Sequence, residues 1–266
     1  MTTTTTEKPL LAFHNDPAIK KKYLARVRKH RKADQLVQGY GYWEDGKGCA
    51  VGCTLHGSNH GDYEIELGIP RVLAFLEDGF FENLSVEEAR AWPEAFLDAI
   101  PVGADLELVW PKFAHWMLVD PELGVIEFAT TPATKKAVED VAALYARWIA
   151  GDKPAEDEWL KAEASADWAA RSARAARAAR AARAARAARA ARADWAASAA
   201  SAASADWAAR ADWAASAAWA DWAARAASAA RAARAARAAR ADWKKHYSAM
   251  SQKLIGILKE TSTAAL

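Results

Sequence analysis

Residues 165–195 read SADWAARSARAARAARAARAARAARAARADW, and this stretch decides the fold. It opens a three-residue frame that continues without a slip to Trp243. The third slot takes every Arg and every Trp and nearly every Ser. The first slot is Ala apart from Ser172, and the second is Ala or Asp. Duplication of a short codon unit explains the uniform runs at 171–192 and 231–240, but it does not explain the interruptions.

The tryptophans are the informative interruptions of this frame. All seven occupy the third slot, and six of them follow an aspartate; they are Trp168, Trp195, Trp207, Trp213, Trp219, Trp222 and Trp243. Substitutions that keep the register this strictly indicate that the three slots face three different environments.

Composition predicts that the repeat is helical, because alanine is the best helix former and no Gly or Pro occurs between Pro154 and Gly256. In an ordinary α-helix each triplet covers about 300°, so the third-slot stripe circles the axis once in about 18 residues. Such a helix has no amphipathic face and would be a straight, solvated rod. We keep the extended α-rod as the alternative interpretation.

The favoured interpretation is a helix whose axis itself coils. A repeat shorter than the helical period drives left-handed supercoiling, and a period of three is a large mismatch. Tightening toward 3₁₀ geometry, about 3.2 to 3.4 residues per turn, makes such a coil sterically feasible. Alanine on two faces then lets successive turns approach closely, and third-slot side chains lie on the convex outside. The sequence thus predicts a triplet-repeat helix (3₁₀/α-like) wound into a compact left-handed superhelical tube.

The array resembles the Ala-Ala-Xaa triplet tracts of uncharacterised bacterial and phage proteins. This resemblance covers about the last 100 residues and implies a tubular triplet-repeat fold, with no activity attached. The segment GCAVGCTLHGSNHGDYEIELGIP at 48–70 also resembles the leader domain of such proteins.

Composition divides the chain into unequal parts. Residues 10–154 carry the large aliphatic and aromatic side chains needed for one core, and we predict a small α-helical leader domain there. The all-α chain is completed by a Thr-rich disordered tail at 1–9, the triplet-repeat array at 155–243, and a closing helix and tail at 244–266. The closing helix is predicted from the amphipathic spacing of Tyr247, Met250, Leu254, Ile257 and Leu258.

Local signals predict the leader helices. Asp16-Pro17 begins a helix to about Asp34, with Tyr23, Leu24 and Val27 as its buried stripe. Further helices begin at Pro70, at the Ser85/Glu88 capping box, near Leu106 with a kink or restart at Pro111, and at Thr131-Pro132. Residues 125–128 are the only strand-like run.

A cysteine–histidine cluster is the sharpest candidate for chemistry. Cys49, Cys53, His56 and His60 fall within 12 residues and are a legitimate zinc ligand set, provided that nearby glycines fold the segment back on itself. On one unbroken helix they would span about 16 Å, too far for one ion. The alternatives are a reactive Cys53–His56 pair and a small buried helical turn with loop histidines.

The arginines of the array suggest phosphate contacts. Between Asp167 and Trp243 there are 14 Arg and 6 Asp, a net charge of +8. Nucleic-acid binding is therefore an alternative function, although Arg and Trp are segregated rather than interleaved. The candidate phosphate contacts form an arginine ribbon of eight third-slot residues: Arg171, Arg174, Arg177, Arg180, Arg183, Arg186, Arg189 and Arg192.

Five tryptophans define a predicted interaction patch, here called the Trp patch: Trp195, Trp207, Trp213, Trp219 and Trp222. Clustered apolar side chains of this size are rare on a surface that stays wet. We expect the leader domain, the closing helix or a second copy of the protein to cover the Trp patch.

Together these patterns predict a structural or protein-interaction protein with an unknown protein partner or self-association. No paired carboxylates, nucleophile elbow or phosphate-cradling glycine loop points to an enzyme, and no cofactor is expected apart from the zinc alternative. No apolar run approaches the 18 or so residues that cross a bilayer, so no membrane partner is expected. The tail at 1–9 lacks the apolar segment of a secretory signal, so we expect a cytoplasmic protein with reduced cysteines.

Overall fold

The computed structural model describes residues 10–172, 183 and 243–261, and these residues form an all-α fold. Isolated bridges occur, but no strand forms within the described ranges. The helices of the leader are α1 (Pro17–Lys32), α2 (Ala50–Leu55), α3 (Asp62–Leu67), α4 (Arg71–Asn83), α5 (Val86–Ala99), α6 (Val109–Val119) and α7 (Pro132–Ile149). Residues 156–172 form α8 and residues 243–259 form α9. The tail at 1–9 lies outside the described residues.

Side-chain caps fix the helix starts, as the sequence predicts. Asp16 Oδ1 accepts a hydrogen bond of 2.7 Å from the Ala18 backbone N–H, with Pro17 in the first turn of α1. Ser85 and Glu88 form the predicted capping box of α5. Thr131 caps α7, where Thr134 takes the reciprocal position. These short-range bonds satisfy backbone donors that the first helical turn leaves free.

Two predicted elements differ in the structure. Residues Val125–Phe128 form a 3₁₀ turn instead of a strand, because a four-residue segment cannot pair as a strand when no partner strand lies beside it among the described residues. The helix near Leu106 begins only at Val109, which places Pro111 within its first turn. Proline is tolerated there because the first turn needs no intrahelical donor.

One apolar core joins α1, α2, α4, α5 and the closing helix α9. The predicted stripe of α1 is buried, and so are Phe96 and Leu97 of α5. Leu254 and Leu258 of α9 are fully buried in the same core. Helix α6 contributes Val109 and Phe113 to the same core, and α7 packs against α6.

Polar and aromatic contacts fix α9 onto α4 and α5. Ser248 Oγ donates to Glu88 Oε1 at 2.6 Å, and the rings of Tyr247 and Phe80 lie 5.9 Å apart. The chain that leaves the leader through α8 therefore returns to it through α9. The closing helix, which the sequence sets apart as a segment after the array, belongs structurally to the leader domain.

Within the described ranges, no helix has both the length and the apolarity needed to span a bilayer.

Candidate functional site

The two cysteines lie at the two ends of one helical turn. Cys49 caps α2, where its Sγ accepts from the Gly52 N–H at 3.5 Å. Cys53 donates its thiol to the backbone carbonyls of Gln35 and Gly48. Burial raises the pKa of Cys53 to about 12 and that of Cys49 further still. Both side chains are therefore neutral thiols at physiological pH, which are poor nucleophiles and poor metal ligands.

Loop 39–48 lies directly on α2. A Cβ added at Gly52 would stand 1.3 Å from the carbonyl oxygen of Tyr42, and one added at Gly48 would stand 1.8 Å from it. Glycine at these two positions lets the loop backbone touch the helix. This contact places Tyr42 and Trp43 over the segment that carries the predicted ligands.

His56 turns away from both cysteines and meets α1. Its Nε2 lies 2.8 Å from Nε2 of His30, and its ring stacks on Trp43 at 4.2 Å between centroids. His30 Nδ1 lies 2.6 Å from Gln35 Oε1. Because that oxygen only accepts, a neutral His30 would donate from Nδ1, and His56 would then donate to Nε2 of His30. Burial, with the nearby charges of Arg26, His30 and Lys29, lowers the pKa of His56.

His60 faces α4 instead. Its ring stacks on Phe75 at 4.2 Å and meets Tyr42 edge-on at 5.4 Å. Its Nε2 lies 3.5 Å from Oδ2 of Asp78. The two histidines of the predicted zinc set thus contact different helices.

The structure does not assemble the predicted zinc site. In the part of the chain that it describes, no three His, Cys, Asp or Glu side chains form a group able to hold a metal ion. Cys49 and Cys53 remain in α2, while His56 is bonded to His30 and His60 lies against α4. The alternative Cys53–His56 pair is not formed either, because each of the two has another partner. The arrangement of the described residues corresponds to the third interpretation, a small buried helical turn that carries the cysteines.

A buried carboxyl group beside this segment escaped the sequence analysis. Glu77 of α4 is fully buried, accepts a short hydrogen bond from Tyr63 Oη, and leaves its Oε1 without a partner among the described residues. Trp92 Nε1 donates to the backbone carbonyl of Glu77 at 2.8 Å. Burial, with the charge of Asp78, raises the pKa of Glu77 to about 8, so this carboxyl is largely protonated at neutral pH. The sequence feature that could have revealed Glu77 is an acidic residue four positions after Leu73, within the apolar stripe of α4.

At the beginning of the array, exposure does not follow the slots. Third-slot Trp168 is 62% exposed and first-slot Ala169 is 3% exposed, but first-slot Ser172 is exposed and first-slot Ala166 is half-buried. Arg171 and Arg183 are exposed third-slot members of the arginine ribbon. At the far end of the frame, Trp243 is 55% exposed and its Nε1 lies 3.4 Å from Asn83 Oδ1.

Most of the predicted array surface lies outside the described residues. That holds for the whole Trp patch, Trp195, Trp207, Trp213, Trp219 and Trp222, and for Arg174, Arg177, Arg180, Arg186, Arg189 and Arg192 of the arginine ribbon.

Comparison with protein-family models, with curated proteins and with solved structures finds no match for this chain.

Proposed function

We propose that this is a structural or interaction protein in which an α-helical leader domain holds both ends of a triplet-repeat array. The observation that carries the proposal is the return of α9 into the leader core, where Leu254, Ile257 and Leu258 are buried. On the entry side, Trp159 of α8 packs against Tyr145 and Trp148 of α7, with centroids 4.7 and 6.3 Å apart.

Attachment at both ends favours the coiled array over the straight rod. A single α-helix from residue 172 to residue 243 would separate its ends by roughly 107 Å. The leader has an expected diameter of about 40 Å, and α8 adds at most about 25 Å. A straight rod therefore could not leave through α8 and return through α9, whereas a compact left-handed superhelical tube can.

The described start of the array shows which side chains are exposed there. Trp168 and Arg171, both in the third slot, are exposed. The array so arranged presents Arg and Trp side chains for contact with a partner.

Small-angle X-ray scattering of the full chain tests the proposed shape. A compact chain of this length has an expected radius of gyration of about 18 Å. We expect a value near this figure and a maximum dimension well below that of a protruding rod of about 107 Å. A distance distribution with a long linear tail beyond 100 Å would overturn the tube.

The role of the Trp patch is tested by Trp213→Ala with Trp219→Ala in one variant. We expect loss of self-association by light scattering, or a lower melting temperature if the leader covers the patch, because the change removes two large apolar side chains from a buried contact. Arg177→Ala with Arg180→Ala changes two third-slot residues outside the patch and serves as the control. An unchanged mass together with unchanged melting would refute a role for the Trp patch in docking.

A further inference from the structure

Charge is distributed unevenly over the leader. Helix α1 carries eight Lys or Arg residues and no acidic residue. The rest of residues 10–172 carries ten Lys or Arg against 27 Asp or Glu. A strongly basic helix on an otherwise acidic domain creates a local positive field that attracts polyanions.

Not every cation on α1 is free to bind a ligand. Lys20 donates to the carbonyls of Asp98 and Ile100, and Arg26 donates to the carbonyl of Thr54. Arg28 and Arg31 share the carboxylate of Glu94. These bonds fix α1 to its neighbours and account for four of the eight positive charges.

Lys21, Lys29 and Lys32 have no such structural role. They are exposed, and no salt bridge involves them among the described residues. They are spaced i, i+8 and i+11 and so share one face of the helix. Lys29 and Lys32 line an open depression together with Arg28, Ala25 and Ala33. Favourable interaction with the helix dipole explains cations in the last turn, but not Lys21, which lies outside it.

An aromatic stack lies beside the C-terminal half of this face. His56 stacks on Trp43 with an interplanar angle of 17°, and both rings lie 5.0 Å from that of His30 in α1. His56 nevertheless remains exposed. On α1, His30 is about 100° from Lys29 and about 160° from Lys32. Lys29 is therefore the lysine of this face nearest the ring, and its charge helps to lower the pKa of His56. In the array, arginine and tryptophan occur in separate stretches, whereas here a cation lies near an aromatic ring.

We propose that the outward face of α1, with the His56–Trp43 stack, binds single-stranded nucleic acid. The lysines contact successive phosphates, and a base stacks on His56. Aromatic rings beside a basic track are the means by which proteins hold unpaired strands, because every base has a face that can stack. A duplex keeps its bases inside and could use only the lysines. The surface is distinct from the arginine ribbon and does not depend on the shape of the array.

Binding is tested on the full chain with a fluorescein-labelled oligothymidine of about 12 nucleotides, by fluorescence anisotropy. The test variant is Lys29→Glu with Lys32→Glu. The control is Lys112→Glu with Lys135→Glu, two exposed lysines elsewhere, which changes the net charge equally. We expect the test variant to bind at least about tenfold more weakly than the control. Its slope of log affinity against log salt should fall by about 1.4, since each single-strand phosphate contact contributes about 0.7.

His56→Ala tests the stack separately. We expect at least about fivefold weaker binding of oligothymidine, since one base stack contributes 1–3 kcal/mol. Binding of an abasic oligomer of the same length should not change, because it has phosphates and no bases. An equal loss for both oligomers would refute stacking on His56.

Lysine acetylation read by mass spectrometry locates the bound strand even if the array also binds it. Bound oligothymidine should protect Lys29 and Lys32 and leave Lys112 and Lys135 reactive. Binding without that protection, equal affinities of the test and control variants, tighter binding of the duplex than of the single strand, or no binding at all would each overturn the proposal.

Discussion

Glu77 is a carboxyl group at a position where the pattern of α4 predicts an apolar side chain. Its folded-state pKa of about 8 lies above the ordinary value of 4.5, because burial penalises the charged form. The folded protein therefore binds this proton more tightly than the unfolded chain does. The stabilisation is fully present below about pH 4.5 and is lost as pH rises through about 8.

We expect Glu77→Gln to remove this loss, because glutamine keeps an acceptor for Tyr63 Oη and carries no charge. The variant should be more stable than the parent protein at about pH 9, by an amount on the order of a few kcal/mol. The two proteins should converge as pH falls. Thermal melting across this range measures the effect. Glu127→Gln, at an exposed acid, is the control; parallel melting curves for parent and Glu77→Gln proteins would disprove the assignment.

The lowered pKa of His56 predicts that stability changes with pH in the opposite direction on the acid side. Its pKa is lowered by burial and by neighbouring cations, so the folded protein resists protonation there. Stability from neutral His56 is present above about pH 6.5 and is lost as pH falls toward the lowered value. His56→Ala should flatten the acid side of the stability profile, measured by urea denaturation between about pH 7 and pH 5. An equally steep acid decline in this variant would show that another group is responsible.

At the scale of elements, α9 is the one whose position matters most for the proposed architecture. Leu254 is fully buried in the leader core, and Leu160 of α8 is 57% exposed. Leu254→Ala should lower the free energy of unfolding by about 2–5 kcal/mol, as removal of a buried leucine does. Leu160→Ala, the same substitution at an exposed position, should change it by less than about 0.5 kcal/mol. Equal effects in denaturant titrations would contradict the packing of α9 described here.

The starts of α1, α5 and α7 were predictable from the sequence because the groups that determine them lie within three residues of each other. Asp16 with Pro17 and Ser85 with Glu88 are such pairs. Contacts between distant residues were not predictable. His30 and His56 are 26 positions apart and meet only because α2 packs on α1. The four predicted zinc ligands are not brought together in the described structure for the same reason, since ligand spacing does not determine which neighbouring helix each imidazole contacts.

At the scale of the whole molecule, the two helices that flank the array both belong to chain segments attached to the leader. The chain leaves the leader through α8, and it re-enters the leader core through α9. Truncation before α9 would thus remove part of the leader's own core. We therefore expect the array and the leader to be coupled, because a change in the path of the array would have to be accommodated where α8 and α9 join the leader.

The frame itself supplies a test of this coupling. Inserting one Ala-Ala-Arg triplet after Arg183 keeps every later residue in its slot. Inserting a single Ala there moves all later Arg and Trp side chains out of the third slot relative to the earlier part. If alanine slots pack against one another, the single insertion should lower the melting temperature of the full chain by at least about 4 °C, equivalent to 1–2 kcal/mol. The triplet insertion should leave it nearly unchanged, although it adds more residues. In a solitary solvated helix no slot differs from another, so equal melting of the two insertions would reject the wound array.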